Sequence, residues 1–119
     1  MKIISTKFHG FIDYATAVVL ILAPFIIFPA GAPLTAKALS AVAGIALILY
    51  SLVTDYSVSV RNAIPFKVHL GIDFIAGAAF VATPFVLGFT GLTQHYFIVI
   101  GAAIIAVVLL TDSNIEEEQ

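Results

Sequence analysis

The sequence predicts an all-α membrane protein: four transmembrane helices, arranged as two tandem, parallel-oriented helical-hairpin repeats in an up-down-up-down bundle. Three observations predict it. Of 119 residues, 61% are hydrophobic and 10% charged, against roughly 45–50% and roughly 25% in soluble domains. So short a chain cannot hide that much apolar surface from water, and a lipid bilayer removes the problem. Second, breaker-rich turns separate four apolar runs long enough to cross one. Third, the chain writes one pattern twice. Lys7-Phe8-His9-Gly10-Phe11-Ile12-Asp13 is answered by Lys67-Val68-His69-Leu70-Gly71-Ile72-Asp73, with Lys, His, Ile and Asp in register. Ala23-Pro24-Phe25 matches Thr83-Pro84-Phe85, and each copy ends on Thr-Asp, at Thr54-Asp55 and Thr111-Asp112. The whole chain, 1–119, is then one membrane domain, with repeat 1 at about 5–55, repeat 2 at about 65–112 and an acidic tail at 113–119.

Ser5 or Thr6 can cap the first helix by accepting from a free N–H of its first turn. The helix runs to about Phe28, and at 1.5 Å per residue its roughly 34 Å covers a bilayer core of about 30 Å. Pro24 falls late in it and predicts a kink or a frayed last turn. Pro29-Ala30-Gly31-Ala32-Pro33 is a turn. The second helix runs from about Leu34 to Thr54, with Ala36, Ser40 and Gly44 on one face. Such a small-residue stripe lets helices approach closely in lipid. Asp55 to Pro65 is the repeat boundary. The third helix spans about Phe66 to Phe89 with Pro84 as its late breaker, and the fourth about His95 to Thr111. Gly44 and Gly101 occupy the same place in each repeat, a mark of close helix contact.

Lys2 and Lys7 before an apolar run, with Ala30-Gly31-Ala32 after it, resemble a signal peptide. Pro33 beside the cut and recurrence of the pattern at Lys67 favour a retained membrane helix. With two crossings per repeat, both copies enter from the same side, which is the parallel kind of repeat. Basic residues set the orientation. Lys2, Lys7, Arg61 and Lys67 lie on the side of the N-terminus and Lys37 opposite, which places both termini in the cytoplasm.

This topology gathers the scarce ionisable groups in one layer: Lys7, His9, Asp13, Asp55, Lys67, His69, Asp73 and Asp112. His and Asp at i and i+4 share a helix face. Ionisable groups at membrane depth face the bundle interior or water, not lipid. Two readings follow. In the first, the layer is an interhelical polar lock, with Asp55 and Asp112 pairing Lys67 and Lys7 across the bundle. In the second, His9, Asp13, His69 and Asp73 bind a divalent cation or relay protons, as in a transporter or channel subunit. Bis-His haem through His9 and His69 is the weakest variant, because nothing else suggests a porphyrin pocket. His95 and Tyr96, like Tyr14, Tyr50 and Tyr56, read as interfacial belt residues.

Without cysteine, disulfides, thiolate metal sites and iron–sulfur clusters are excluded. No basic patch suggests nucleic acid. No nucleophile elbow or phosphate-cradling glycine loop appears, so a non-enzymatic role without a resident cofactor is expected. The partners are lipid and either further copies or other membrane proteins.

At Pro24 and Pro84 the sequence resembles the SPW-repeat family of small bacterial integral membrane proteins. The matching triplets are Ala23-Pro24-Phe25 and Thr83-Pro84-Phe85, with Ala or Thr for Ser and Phe for Trp. The resemblance covers nearly the whole chain as two degenerate copies. It implies paired membrane helices in a bacterial inner membrane and no particular activity.

Overall fold

The computed structural model describes residues 2–54 and 63–112. They form four α-helices: α1 (Thr6–Ile27), α2 (Leu34–Leu52), α3 (Phe66–Leu87) and α4 (Gly91–Leu110). All four are long and apolar enough to cross a membrane. Only 22–28% of each span is buried inside the protein, so most of the apolar surface must be covered by another solvent. Outward positions such as Ile26 and Val86, both 77% exposed, suit lipid and not water.

Local chemistry sets the ends. Ser5 caps α1, its hydroxyl accepting from the Phe8 N–H at 3.1 Å. Pro24 and Pro84 each stand three residues before their helix stops. A proline ring clashes with the carbonyl four residues before it and donates no hydrogen bond. The expected disturbance is therefore a helix end within one turn. The two ends close differently. Gly88 takes a left-handed cap at φ 77°, a conformation glycine adopts without a Cβ clash, whereas Phe28 leaves α1 in extended backbone.

The fourth helix begins before His95, next to Leu92, the earlier of the two further starts (Leu92 or Thr93) that the sequence offers. Thr90 holds the extended cap position and Gly91, at φ 62°, turns the chain. Leu92-Thr93-Gln94 then make the first turn instead of a loop. At 20 residues the helix measures about 30 Å, a full span.

Each long helix buries one stripe. In α1 it is Thr6, His9, Gly10, Asp13, Ala17, Leu20 and Pro24; in α3 it is Phe66, His69, Leu70, Asp73, Gly77, Phe80 and Pro84. Every member has its counterpart sixty positions on. On α2 the stripe is Ala36, Ser40, Gly44, Leu47 and Ser51. The close helix pairs are α1 with α2 and α3 with α4, and glycine permits both. A Cβ on Gly44 would stand 2.7 Å from the Ala17 carbonyl oxygen, and one on Gly101 2.5 Å from that of Gly77.

Between these pairs, the links are made at two levels. At one end, backbone joins the start of α1 to the end of α4: the Ile3 and Ile4 N–H groups donate to Leu110 O at 2.8 and 3.0 Å, and Asp112 N–H to Ile4 O at 2.9 Å. The start of α3 joins the end of α2 likewise, with Ala63 and Ile64 N–H donating to Val53 O, both at 2.8 Å. At the opposite end the seam is aromatic. Phe97, fully buried, meets Phe28, Phe80, Phe89 and Tyr96. The Tyr96 and Ser40 hydroxyls lie 2.6 Å apart, and Ser40 donates to Leu20 O at 2.8 Å. Tyr96 is thus buried, not a belt residue; its ring fills the seam and its hydroxyl finds a partner there.

Candidate functional site

The backbone stitches at the first end decide which side chains meet. They bring Thr111, after α4, beside His9 on α1, and Thr54, after α2, beside His69 on α3. His9 Nδ1 lies 2.9 Å from Thr111 Oγ1 and His69 Nδ1 2.7 Å from Thr54 Oγ1. Both threonine hydroxyls also reach the carbonyl four residues back, Val107 O and Tyr50 O, each at 2.6 Å. A hydroxyl has one proton and a carbonyl only accepts. One assignment satisfies all three groups: the imidazole Nδ1–H donates to the threonine oxygen, and the threonine O–H donates to the carbonyl.

That assignment aims both Nε2 atoms inward, where the two aspartates stand. His9 Nε2 is 3.2 Å from Asp13 and 3.0 Å from Asp73. His69 Nε2 is 2.8 Å from Asp13 and 3.2 Å from Asp73. Each imidazole thus touches the carboxylate four residues on in its own helix and the carboxylate of the other helix. All four residues are buried, none more than 5% exposed. One ligand atom from each lies within 4.8 Å of all the others. The Tyr50 hydroxyl donates to the second oxygen of Asp73, and its ring lies 4.7 Å from that of His69. Phe66 closes the layer, its ring 5.4 Å from His9.

Beside this centre is a cavity of about 440 Å³ to which all four helices contribute. His9, Asp13, Thr16, Tyr50 and Asp73 form its polar part; Leu47, Phe80 and other apolar side chains line the rest. The tetrad therefore has one face that is not packed against protein.

The eight residues grouped from sequence separate. His9, Asp13, His69 and Asp73 converge. Lys7 and Lys67 are exposed and stand outside the tetrad, because the residues following them by two, not they, occupy the buried stripe. Asp112 is half-buried; its backbone, through Ile4 and Thr6, holds the helix starts. Asp55 lies outside the described residues, as do Tyr56 and Arg61. Pro24, Gly44, Pro84 and Gly101 are all buried in the helix seams. His95 is exposed, its Nδ1 2.7 Å from Gly91 O.

Three contributors were not singled out from sequence. Thr54 and Thr111 carry a signal, recurring at the same spacing as Gly44 and Gly101, but a neutral hydroxyl beside an aspartate at a helix end reads as part of the stop. Tyr50 gave none: Val107 stands at its equivalent position, and a tyrosine late in a span reads as a belt residue. Its half-buried place on Asp73 corrects that expectation. Comparison with known protein families, curated proteins and solved structures finds no match.

Proposed function

We propose that this chain is a small, non-enzymatic integral membrane protein, an accessory component of the bilayer whose buried His/Asp centre clamps two helical hairpins together. The observation that carries the reading is the crossed contact of His9 with Asp73 and of His69 with Asp13. An imidazole nitrogen and a carboxylate oxygen at such distances need a proton or a cation between them. A proton on each Nε2 supplies it, and each imidazole then bridges both carboxylates. Polar contacts of this kind hold helices together in lipid, where the hydrophobic effect does not.

In this reading α1–α2 and α3–α4 are two copies of one hairpin, threaded up-down-up-down in the same sense. The sixty-residue offset between the buried stripes supports it, and so does the pairing of Thr54 and Thr111 with the two histidines. The SPW-repeat resemblance agrees with such a hairpin and rests on sequence alone. The balance of Lys2, Lys7, Arg61 and Lys67 against Lys37 supports a clamp on the cytoplasmic side, and a bacterial inner membrane is what the SPW-repeat resemblance implies. Exposed faces meet lipid or neighbouring membrane proteins.

Two measurements test this. With no native cysteine, Lys7→Cys and Lys67→Cys report sidedness cleanly; both label from the same side of sealed vesicles, and labelling from opposite sides refutes the threading. Asp13→Asn and Asp73→Asn lower the melting temperature in detergent with a chelator present. Unchanged melting in both sinks the clamp.

A further inference from the structure

We propose that the tetrad is also a binding site for one first-row divalent transition-metal ion, Zn²⁺ in class, held by Nε2 of His9 and His69 and one oxygen each of Asp13 and Asp73. The inference uses the same convergence as the clamp but does not need the clamp to be the purpose of the site.

Four features of the structure point this way. The donor set is two imidazole nitrogens and two carboxylate oxygens, which suits zinc and its neighbours better than Mg²⁺ or Ca²⁺. The donors already surround a point. Four ligands at about 2.0–2.1 Å in a tetrahedron stand about 3.3–3.4 Å apart; the observed Nε2–oxygen distances are 2.8–3.2 Å. Asp13 meets the two imidazoles through different oxygens, so an ion takes one of them after a small rotation of that carboxylate; one ligand atom from each residue already lies within 4.8 Å of the others.

The imidazoles are also prepared for it. A metal-binding histidine characteristically donates its other ring N–H to a fixed acceptor, which sets tautomer and ring angle. Thr54 and Thr111 do this on both sides of the centre. Tyr50 fixes the Asp73 carboxylate in the same manner, binding one oxygen and leaving the other toward both histidines.

Charge and access complete the case. When the ion displaces the proton from each Nε2, the two carboxylates contribute a charge of −2 among buried groups, which a divalent ion cancels. Lys7 and Lys67, the basic residues nearest in sequence, are exposed and outside the tetrad. The adjoining cavity, with His9, Asp13 and Asp73 on its wall, gives the ion and a further small ligand room to approach.

The test uses untagged full-length chain in detergent, stripped with a chelator and titrated with Zn²⁺ by equilibrium dialysis and with Co²⁺ by its visible absorption. One ion binds per chain, and Co²⁺ gives the intense absorption of low-coordinate nitrogen–oxygen ligation. Asp13→Asn with Asp73→Asn abolishes binding. Thr54→Val and Thr111→Val leave the four ligands and weaken binding about 10–100-fold, with helicity by circular dichroism unchanged. No saturable binding by the wild-type chain overturns the site, and so does equal binding by the double Asp variant, which would assign the metal to His95 or the surface. If metal is not bound yet the Asn variants still melt early, the clamp stands and the metal site falls; if metal binds and those variants melt normally without it, the reverse holds.

Discussion

The α1–α2 half and the α3–α4 half bury matching positions along α1 and α3 and part of those along α2 and α4, and the pattern of difference is informative. His9 and His69, Asp13 and Asp73, Pro24 and Pro84, Gly44 and Gly101, and Thr54 and Thr111 keep their identity. Around them the fill changes freely: Thr6 faces Phe66, Gly10 Leu70, Ala17 Gly77, Leu20 Phe80, and Ser40 Phe97. Filling a seam tolerates many side chains if the volumes sum correctly. Closing a four-membered ring of charges, or letting two backbones touch, does not. The identities common to both halves therefore mark where geometry is strict.

The largest expected effect comes from breaking the ring itself. Asp73→Asn lowers stability by about 3 kcal/mol or more, the scale for opening a buried ion pair. Asp13→Asn opens the same ring and costs a comparable amount. Denaturation in detergent followed by circular dichroism measures both, and a loss below about 1 kcal/mol in each refutes the ring.

Next is the glycine contact. Gly101→Ala drives a methyl to 2.5 Å from the Gly77 carbonyl oxygen and costs about 1–3 kcal/mol as an overpacked seam. Gly44→Ala, at 2.7 Å from Ala17 O, costs somewhat less. Gly71→Ala meets nothing within 4 Å and is neutral or slightly stabilising, as alanine favours helix. Equal melting of all three variants contradicts the close approach.

Smaller effects probe where the halves differ. Tyr50→Phe removes one hydrogen bond to a carboxylate and costs about 1.5 kcal/mol. It makes the α2 position as unable to donate as its counterpart Val107. Ser51, fully buried, has no hydrogen-bond partner for its hydroxyl among the described residues, and Val108 occupies the matching place. Ser51→Ala therefore leaves stability unchanged or raises it slightly; a loss above about 1 kcal/mol would show that the hydroxyl has a partner after all.

The sequence made the helices legible because lipid simplifies the code: an apolar run of sufficient length is a span, whatever its neighbours. The duplicated Lys-x-His motif made the centre legible, since copies sixty residues apart in matching helices come to matching depth. Helical spacing then selected His9 and Asp13 but not Lys7, which sits on the outward face. What sequence could not show was contact across the seam. Thr54 lies fifteen positions from His69, and Tyr96 fifty-six from Ser40. Those partners depend on how the helix pairs dock, and no periodicity within a single helix encodes that.

The backbone links at the His/Asp end have one more consequence. Ile4 is tied to Leu110 and Asp112, and Ile64 to Val53, so each hairpin's first segment is secured by the other hairpin's last. Neither half supplies its own fastener. The two junctions are therefore closed only when both halves are present.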